Sequence, residues 1–305
     1  MRIVRGLESY PPEAPATAVA LGVFDGVHLG HRAILATAVA RARVSELQAL
    51  ACTFDPHPAE VLQPGHAPAP ISTLDERLAL IAQTGVDATV VLAFTSDLAA
   101  VEPEAFVKDV LLERLRARDV VVGFNHTFGR GARGSARLLQ ALSQRMGFRC
   151  HVVPPLMIDG VAVSSSEIRA ALNAGQVERA NRYLGRPYAV GGEVVQGAGR
   201  GRTLGFPTAN LRPDRPLLVP AGVYACHAQV DGESHPAVVN VGVRPTFDEE
   251  RLVIEAHLLD FSGALYGHAI RLAFVCRLRD ERKFPGLEAL REQIGLDIAA
   301  ARRRL

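Results

Sequence analysis

The pattern of this chain changes character once, near residue 185, and that change limits the folds open to it. Before it, short runs that are apolar throughout alternate with segments of helical periodicity. Residues 16–24 (ATAVALGVF), 47–54 (LQALACTF), 88–94, 119–124 (DVVVGF) and 149–156 read as strands. Residues 29–43 carry Ile34, Leu35, Ala38 and Val39 at helical spacing. A Pro/His loop runs to Ser72, and a Thr73-x-x-Glu76 capping box opens a helix through Ile81. Residues 103–117, with Pro103 in the first turn, and 135–146 read as further helices. A strand apolar on both sides must be covered on both sides, so this half predicts an α/β domain: a parallel sheet with helices on each face.

After Gly185-Arg-Pro187 the helices stop. Residues 190–195, 222–230, 237–243, 252–261 and 270–278 read as strands punctuated by Gly, Pro and Asp, an all-β barrel or sandwich. Residues 286–304 then read as one closing amphipathic helix, with Leu287, Leu290, Ile294 and Ile298 on one face. The length of 305 residues accommodates two domains, and the change of pattern divides them as 1–184 and 185–305.

Charge excludes more than it suggests. Lys and Arg number 34 against 32 Asp and Glu, so neither half is a basic domain that coats nucleic acid. The only lysines are Lys108 and Lys283, which rules out a P-loop ending in Gly-Lys-Ser/Thr. Cys52, Cys150, Cys226 and Cys276 are widely spaced with no C-x-x-C, which fits reduced thiols in a cytoplasmic protein. There is no uncharged apolar run long enough to span a membrane, and no apolar signal core precedes Pro11 and Pro12. No membrane and no nucleic-acid partner is therefore expected; a homo-oligomer is compatible with the sequence.

Gly22-Val-Phe24-Asp25-Gly26-Val-His28-Leu-Gly30-His31 spans the end of the first strand and the start of the first helix. In a doubly wound sheet ligands bind at that edge, and a helix N-terminus is a ready phosphate site. Three residues apart, His28 and His31 can present two imidazole donors to charge developing on phosphate oxygens, and the glycines leave room for a nucleotide. A metal pair, or a turn that merely contains histidine, is the alternative. Ser164-Ser-Ser-Glu167-Ile-Arg169 offers hydroxyls and a guanidinium for a triphosphate, or a plain N-cap. Thr53-Phe-Asp55-Pro-His57-Pro ends the second strand at the same rim, where His57 and Asp55 either shape the pocket or form a Pro-fixed loop. Gly129-Arg-Gly131-Ala-Arg-Gly134 matches G-x-G-x-x-G but follows the fourth strand instead of the first, so a dehydrogenase is rejected.

In the second half, Gly197, Gly199, Gly201 and Gly205 can wrap phosphates with backbone N–H groups, followed by Pro207 and Thr208. Thr208 and Asn210, at strand spacing, place two neutral oxygens on one face, a donor pair suited to Mg²⁺. The alternative is a flexible turn before an ordinary strand. Glu255 and His257 share one face of a later strand, where a carboxylate facing a barrel pocket can take a proton from an attacking alcohol; a solvent-facing glutamate is the plainer reading.

Taken together, G-V-F-D-G-V-H-L-G-H, T-F-D-P-H-P and V-S-S-S-E-I-R resemble the FMN adenylyltransferase module of bacterial bifunctional riboflavin kinase/FAD synthetases, within the nucleotidyltransferase superfamily. G-R-T-L-G-F-P-T-A-N, V-N-V-G-V-R-P-T-F, E-A-H-L-L-D-F and Q-I-G-L-D resemble its riboflavin kinase module. The resemblance implies a Rossmann-like N-terminal domain and a small antiparallel barrel with a terminal helix. It implies ATP as co-substrate, Mg²⁺, and riboflavin, FMN and FAD as small-molecule partners. His28 and His31 would serve the ATP phosphates, with Gly22, Phe24, Asp25 and Gly30 around the nucleotide. Ser164, Ser165 and Arg169 would hold the triphosphate, and Asn125 would lie near the adenosine. Thr208 and Asn210 would sit at Mg²⁺-ATP, and Glu255 would be the base on the riboflavin 5′-hydroxyl. Where the family usually shows Asp and an aromatic, this chain has Asn125 and His126. Two rivals stay open: a different H-x-G-H adenylyltransferase, or an inactive flavin-binding regulator.

Overall fold

The computed structural model describes residues 1–196, 205–245 and 250–305. They pack as two compact units, Met1–Ser164 and Ser165–Leu305. The elements of the first unit are β1 (Arg2–Arg5), β2 (Thr17–Leu21), α1 (Leu29–Val44), β3 (Gln48–Asp55), α2 (Pro58–Leu62), α3 (Leu74–Ala82), β4 (Ala88–Ala93), α4 (Ser96–Ala100) and α5 (Pro103–Ala105, continued by π-helical turns over Phe106–Arg114). There follow β5 (Ala117–Gly123), β6 (Thr127–Phe128), β7 (Gly134–Ser135), α6 (Ala136–Met146), β8 (Arg149–Val153), β9 (Met157–Ile158) and β10 (Val161–Ala162). The expected parallel sheet is present, with strand order β1-β4-β3-β2-β5-β8. Every pairing in it is parallel.

The two faces of that sheet differ because side chains alternate along a strand. Ala18, Ala20, Ala49 and Ala51 make one face shallow, so α1 can bring Ile34, Leu35, Ala38 and Ala42 down onto it, joined by Leu80 and Ile81 of α3. Val19, Leu21, Leu50, Cys52 and Phe54 point the other way and pack with Phe106, Val107, Leu111, Leu139 and Leu142. The α3 capping box forms as its sequence demands: Glu76 N–H donates to Thr73 Oγ1 at 3.2 Å, and Thr73 N–H to Glu76 Oε2 at 3.0 Å. Three boundaries move. The Pro/His loop contains α2, β1 adds an edge strand beside β4, and the helix expected through residue 117 stops at Arg114 because Ala117 already pairs with Thr17 of β2.

The chain winds from β2 through β3 to β4, then crosses to β5 on the other side of β2. The strand order therefore reverses between β2 and β5, and the loops after Leu21 and Gly123 flank the crevice where ligands of such sheets bind.

The second unit begins with α7 (Ser165–Asn173) and α8 (Val177–Leu184), then β11 (Tyr188–Val195), β12 (Ala209–Pro213), β13 (Gly222–Val230), β14 (Glu233–Pro245), β15 (Glu250–Leu258), β16 (Ala269–Arg279) and α9 (Leu287–Arg302). Its strands close into a barrel in the order β11-β12-β15-β14-β13-β16. Tyr188, Val190, Tyr224, Val239, Ile254, Leu272 and Phe274, all essentially inaccessible, are among its buried residues. The amide of Asn181 on α8 donates to the Phe274 carbonyl at 2.8 Å and its oxygen accepts from Tyr188 N–H at 2.7 Å, which fastens α8 to the barrel. The face expected for α9 holds at Ile298 and fails at Leu287. Leu287 is exposed, and the contact is made by Ile298 and Ala301 against Val223, Ala225 and Val238. Buried Asp297 also lies on that face, accepting from Arg279 at 2.8–3.1 Å and from Gln293 at 2.8 Å.

At the edge of the sheet opposite the crevice, Asp119 is fully buried and accepts from Arg149 Nε at 2.9 Å, with His151 Nε2 at 2.6 Å. Burial works to raise its carboxyl, but the hydrogen bonds and charges of Arg149 and His151 outweigh it and hold the group below its ordinary value. A depressed folded-state value means a stability contribution that is complete above the unfolded value of about 4 and disappears as pH falls through the lower folded one. Asp119→Asn is thus expected to lower stability at pH 7 and to flatten its decline below about pH 4. Chemical denaturation across a pH series measures both.

Candidate functional site

Between β2 and α1 the backbone is strained: Phe24 has φ +55°, Gly26 +77° and Val27 +38°. For a β-branched valine and a bulky phenylalanine that region is costly, and such clusters persist only where surrounding contacts over-determine them. Those contacts are here. Asp25 is 2% exposed, and its carboxylate accepts from the N–H groups of Ile71 and Ser72 at 3.0–3.1 Å and from Ser72 Oγ at 3.2 Å. Ser72 Oγ in turn accepts from Gly26 N–H at 3.0 Å. Buried Arg77 donates to the carbonyls of Val23 (3.1 Å) and Phe54 (2.8 Å), joining the ends of β2 and β3. Burial lowers its guanidinium value, opposed by Asp25, Asp55 and Glu60.

Asp25, expected beside the nucleotide, therefore spends its carboxylate on holding the loop. Ser72 and Arg77 went unnoticed in the sequence. The available signal was a charged residue on the buried face of α3, beside Leu78 and Ile81.

His28 is the N-cap of α1: its Nδ1 accepts from His31 N–H at 3.2 Å. An accepting Nδ1 carries no proton, so the neutral ring presents Nε2–H. The two imidazoles stack at 3.6 Å between centroids, 19° from parallel, and Phe24 meets His31 edge-on at 5.3 Å. The sequence suggested two open donors. Instead His28 is 5% exposed and only its Nε2 is left over from the cap, while His31 is the more open ring. Gly30 permits this, because a Cβ there would stand 3.1 Å from the His28 ring and 3.6 Å from the Val163 carbonyl, just before Ser164.

Across the crevice, exposed Asn125 and half-buried His126 follow β5. His126 stacks on Phe128 at 5.7 Å, and its Nε2 is buried without a hydrogen-bond partner among the described residues. Burial pushes its pKa down to about 4, so the ring is neutral at pH 7. His57 caps α2, its Nδ1 accepting from Ala59 N–H at 3.1 Å, which gives the Pro/His loop a structural role. In the rejected G-x-G-x-x-G loop, Arg130 and Arg133 pair with Glu102.

In the second unit, Ser165 opens α7 and Arg169 follows one turn later. Gly197, Gly199 and Gly201 lie outside the described residues; Gly205 has φ +86°, and Pro207 and Thr208 lead into β12. Asn210 of β12 is directly opposite Glu255 of β15, which is directly opposite Asn240 of β14. Directly opposed residues share a face. Ala209, Ile254, Ala256 and Val239, their strand neighbours, are buried, so the row Asn210–Glu255–Asn240 lies on the outer face of the barrel. Aromatic side chains, Tyr188, Tyr224 and Phe274 among them, fill the interior.

Asn240 also went unnoticed, although one amide amid Val238, Val239 and Val241 marks a break in an apolar run. Next on the same face, a Cβ on Gly242 would meet Glu281 Oε1 at 2.8 Å and Asn240 Nδ2 at 3.4 Å, so the segment between β16 and α9 crosses here. Thr208 and Asn210 carry neutral side-chain oxygens, the hard donors that Mg²⁺ takes. No group of three or more His, Cys, Asp or Glu among the described residues is arranged to hold a metal.

One unit carries a strained strand-to-helix loop with paired imidazoles and the other a barrel with a carboxylate–amide row, features of a nucleotide-using transferase built in two units. Residues 10–167 match the FAD synthetase family and residues 184–305 the riboflavin kinase family. Relatives named bifunctional riboflavin kinase/FMN adenylyltransferase are similar along the whole length. The protein of Pseudomonas fluorescens is 39% identical, covering 99% of this chain and 97% of the relative. That of Bacillus subtilis is 39% identical over 93% and 91%, and that of Escherichia coli K12 is 36% identical over 99% and 97%. A crystal structure from Streptococcus pneumoniae named as a macrolide-efflux protein shares the fold, with TM-score 0.92 and 30% identity over 99% of each chain. No described helix here is long and apolar enough to cross a membrane. The chain belongs to the bifunctional riboflavin kinase/FMN adenylyltransferase family.

The cap role of His28 separates from its chemistry. Asparagine is a good N-cap and alanine is not. His28→Asn is expected to keep thermal stability close to that of the parent, whereas His28→Ala loses about 1 kcal/mol. Thermal unfolding followed by circular dichroism checks the difference.

Proposed function

We propose that this protein makes FAD from riboflavin in two ATP-dependent steps, one in each domain, taken as 1–184 and 185–305. In the barrel, Glu255 takes the proton of the riboflavin 5′-hydroxyl as its oxygen attacks the γ-phosphorus of ATP, giving FMN and ADP. Thr208 and Asn210 would hold Mg²⁺, which would neutralise charge on the phosphates, and Gly205 and Pro207 would border the nucleotide. The observation that carries this reading is the register that sets Asn210 directly against Glu255.

In the first domain an FMN phosphate oxygen attacks the α-phosphorus of a second ATP and pyrophosphate leaves. FMN already supplies the nucleophile, so the protein needs only alignment and donors at the developing charge. The Nε2–H of His28 and the ring of His31 are those donors. Gly22, Phe24 and Gly30 border the nucleotide, Asn125 meets the adenosine, and Ser164, Ser165 and Arg169 hold the triphosphate. Asp25 contributes by keeping the loop in its strained form. Four free cysteines, none paired, suit a cytoplasmic setting.

Purified protein incubated with riboflavin, ATP and Mg²⁺ is expected to yield both FMN and FAD on chromatography. Glu255→Gln should slow FMN formation about 10²–10⁴-fold while FAD still forms from supplied FMN. His28→Asn should slow FAD formation about 10²–10³-fold and leave FMN formation intact. Loss of both reactions from either change in folded protein would refute the assignment of sites to domains.

A further inference from the structure

His257 is two residues along β15 from Glu255, so the strand period puts both on the outer face. Its Nδ1 lies 2.8 Å from the Pro207 carbonyl, and its ring meets Phe206 edge to face at 5.7 Å and 86°. A carbonyl only accepts, so Nδ1 carries the proton and donates. The Pro207 carbonyl belongs to the peptide that joins Thr208. One residue further, Ala209 and Asn210 enter the ladder opposite Ala256 and Glu255. Thr208 is thus held between two clamps on the same strand: the imidazole before it and the backbone ladder after it.

We propose that His257 is a positioning residue for the kinase step: by holding the Pro207 carbonyl it sets the Thr208 hydroxyl beside Asn210, completing the oxygen pair for the divalent ion across from the Glu255 base. The inference rests on the assignment of Thr208, Asn210 and Glu255 above. It separates His257 from the plain role of a surface hydrogen bond, which contributes only about 1 kcal/mol to stability. Groups that orient metal ligands without touching the metal carry about 10–100-fold in metal affinity or activity.

The test uses the full chain with His257→Ala and His257→Asn, since the asparagine Nδ2 can donate from nearly the same place as Nδ1. Two measurements report on Mg²⁺. One is quenching of riboflavin fluorescence with ADP present, titrated with Mg²⁺, which involves no turnover. The other is the Mg²⁺ concentration for half-maximal FMN formation. His257→Ala is expected to raise both midpoints about tenfold or more, with the riboflavin KM at saturating Mg²⁺ changed less than about twofold. His257→Asn is expected to bring both midpoints back to within about threefold of the parent. FAD formation from supplied FMN stays unchanged in both variants, showing that the first domain is folded, and the retained riboflavin KM at saturating Mg²⁺ shows the same of the barrel. Unmoved midpoints in His257→Ala, or midpoints in His257→Asn displaced as far as in His257→Ala, would overturn the proposal. Failure of the site assignment is a different result: undiminished FMN formation by Glu255→Gln at saturating Mg²⁺.

Discussion

A strand can bury only every second side chain on a given face, and that constraint decides where this protein can keep its chemistry. In the sheet of the first unit both faces are covered, so polar chemistry is pushed off the strands to the loops after β2 and β5. In the barrel one face is filled by Tyr188, Tyr224 and Phe274, so Asn210, Glu255 and Asn240 stand on the other. The same period that packs each core thus fixes the position of each candidate site.

The loop that carries His28 shows what such placement costs. Positive φ at Phe24 and Val27 is unfavourable, and the surrounding groups hold it by burying a carboxylate and a guanidinium whose partners are mostly backbone. Asp25 and Arg77 each make hydrogen bonds to groups fixed in space, which offset their desolvation. The Arg279–Asp297 pair works differently: it fastens a helix to the outside of the barrel, where Arg279 keeps some contact with solvent.

Much of the first unit was legible because its signals are local. The Thr73–Glu76 box, the apolar runs of β2 to β5 and the glycine-marked entry to α1 each depend on residues within a turn or a strand. On α9 the burial of Asp297 is not legible, because it looks like a surface residue until Arg279 is brought to it from eighteen positions away. Asn240 and Ser72 were missed for a similar reason. Neither belongs to a pattern of its own, and each matters only through a residue distant in the chain, Glu255 for one and Asp25 for the other.

The amino-acid order by itself determined the two architectures and the residue types gathered at each motif. These follow from periodicity and from short-range capping and turn chemistry. Only the tertiary structure decided that Glu255 faces outward between two amides, that His28 caps its helix and keeps Nε2 for other partners, and that Asp25 holds a loop. Those outcomes turn on strand register and on which loops meet, and spacing along the chain encodes neither.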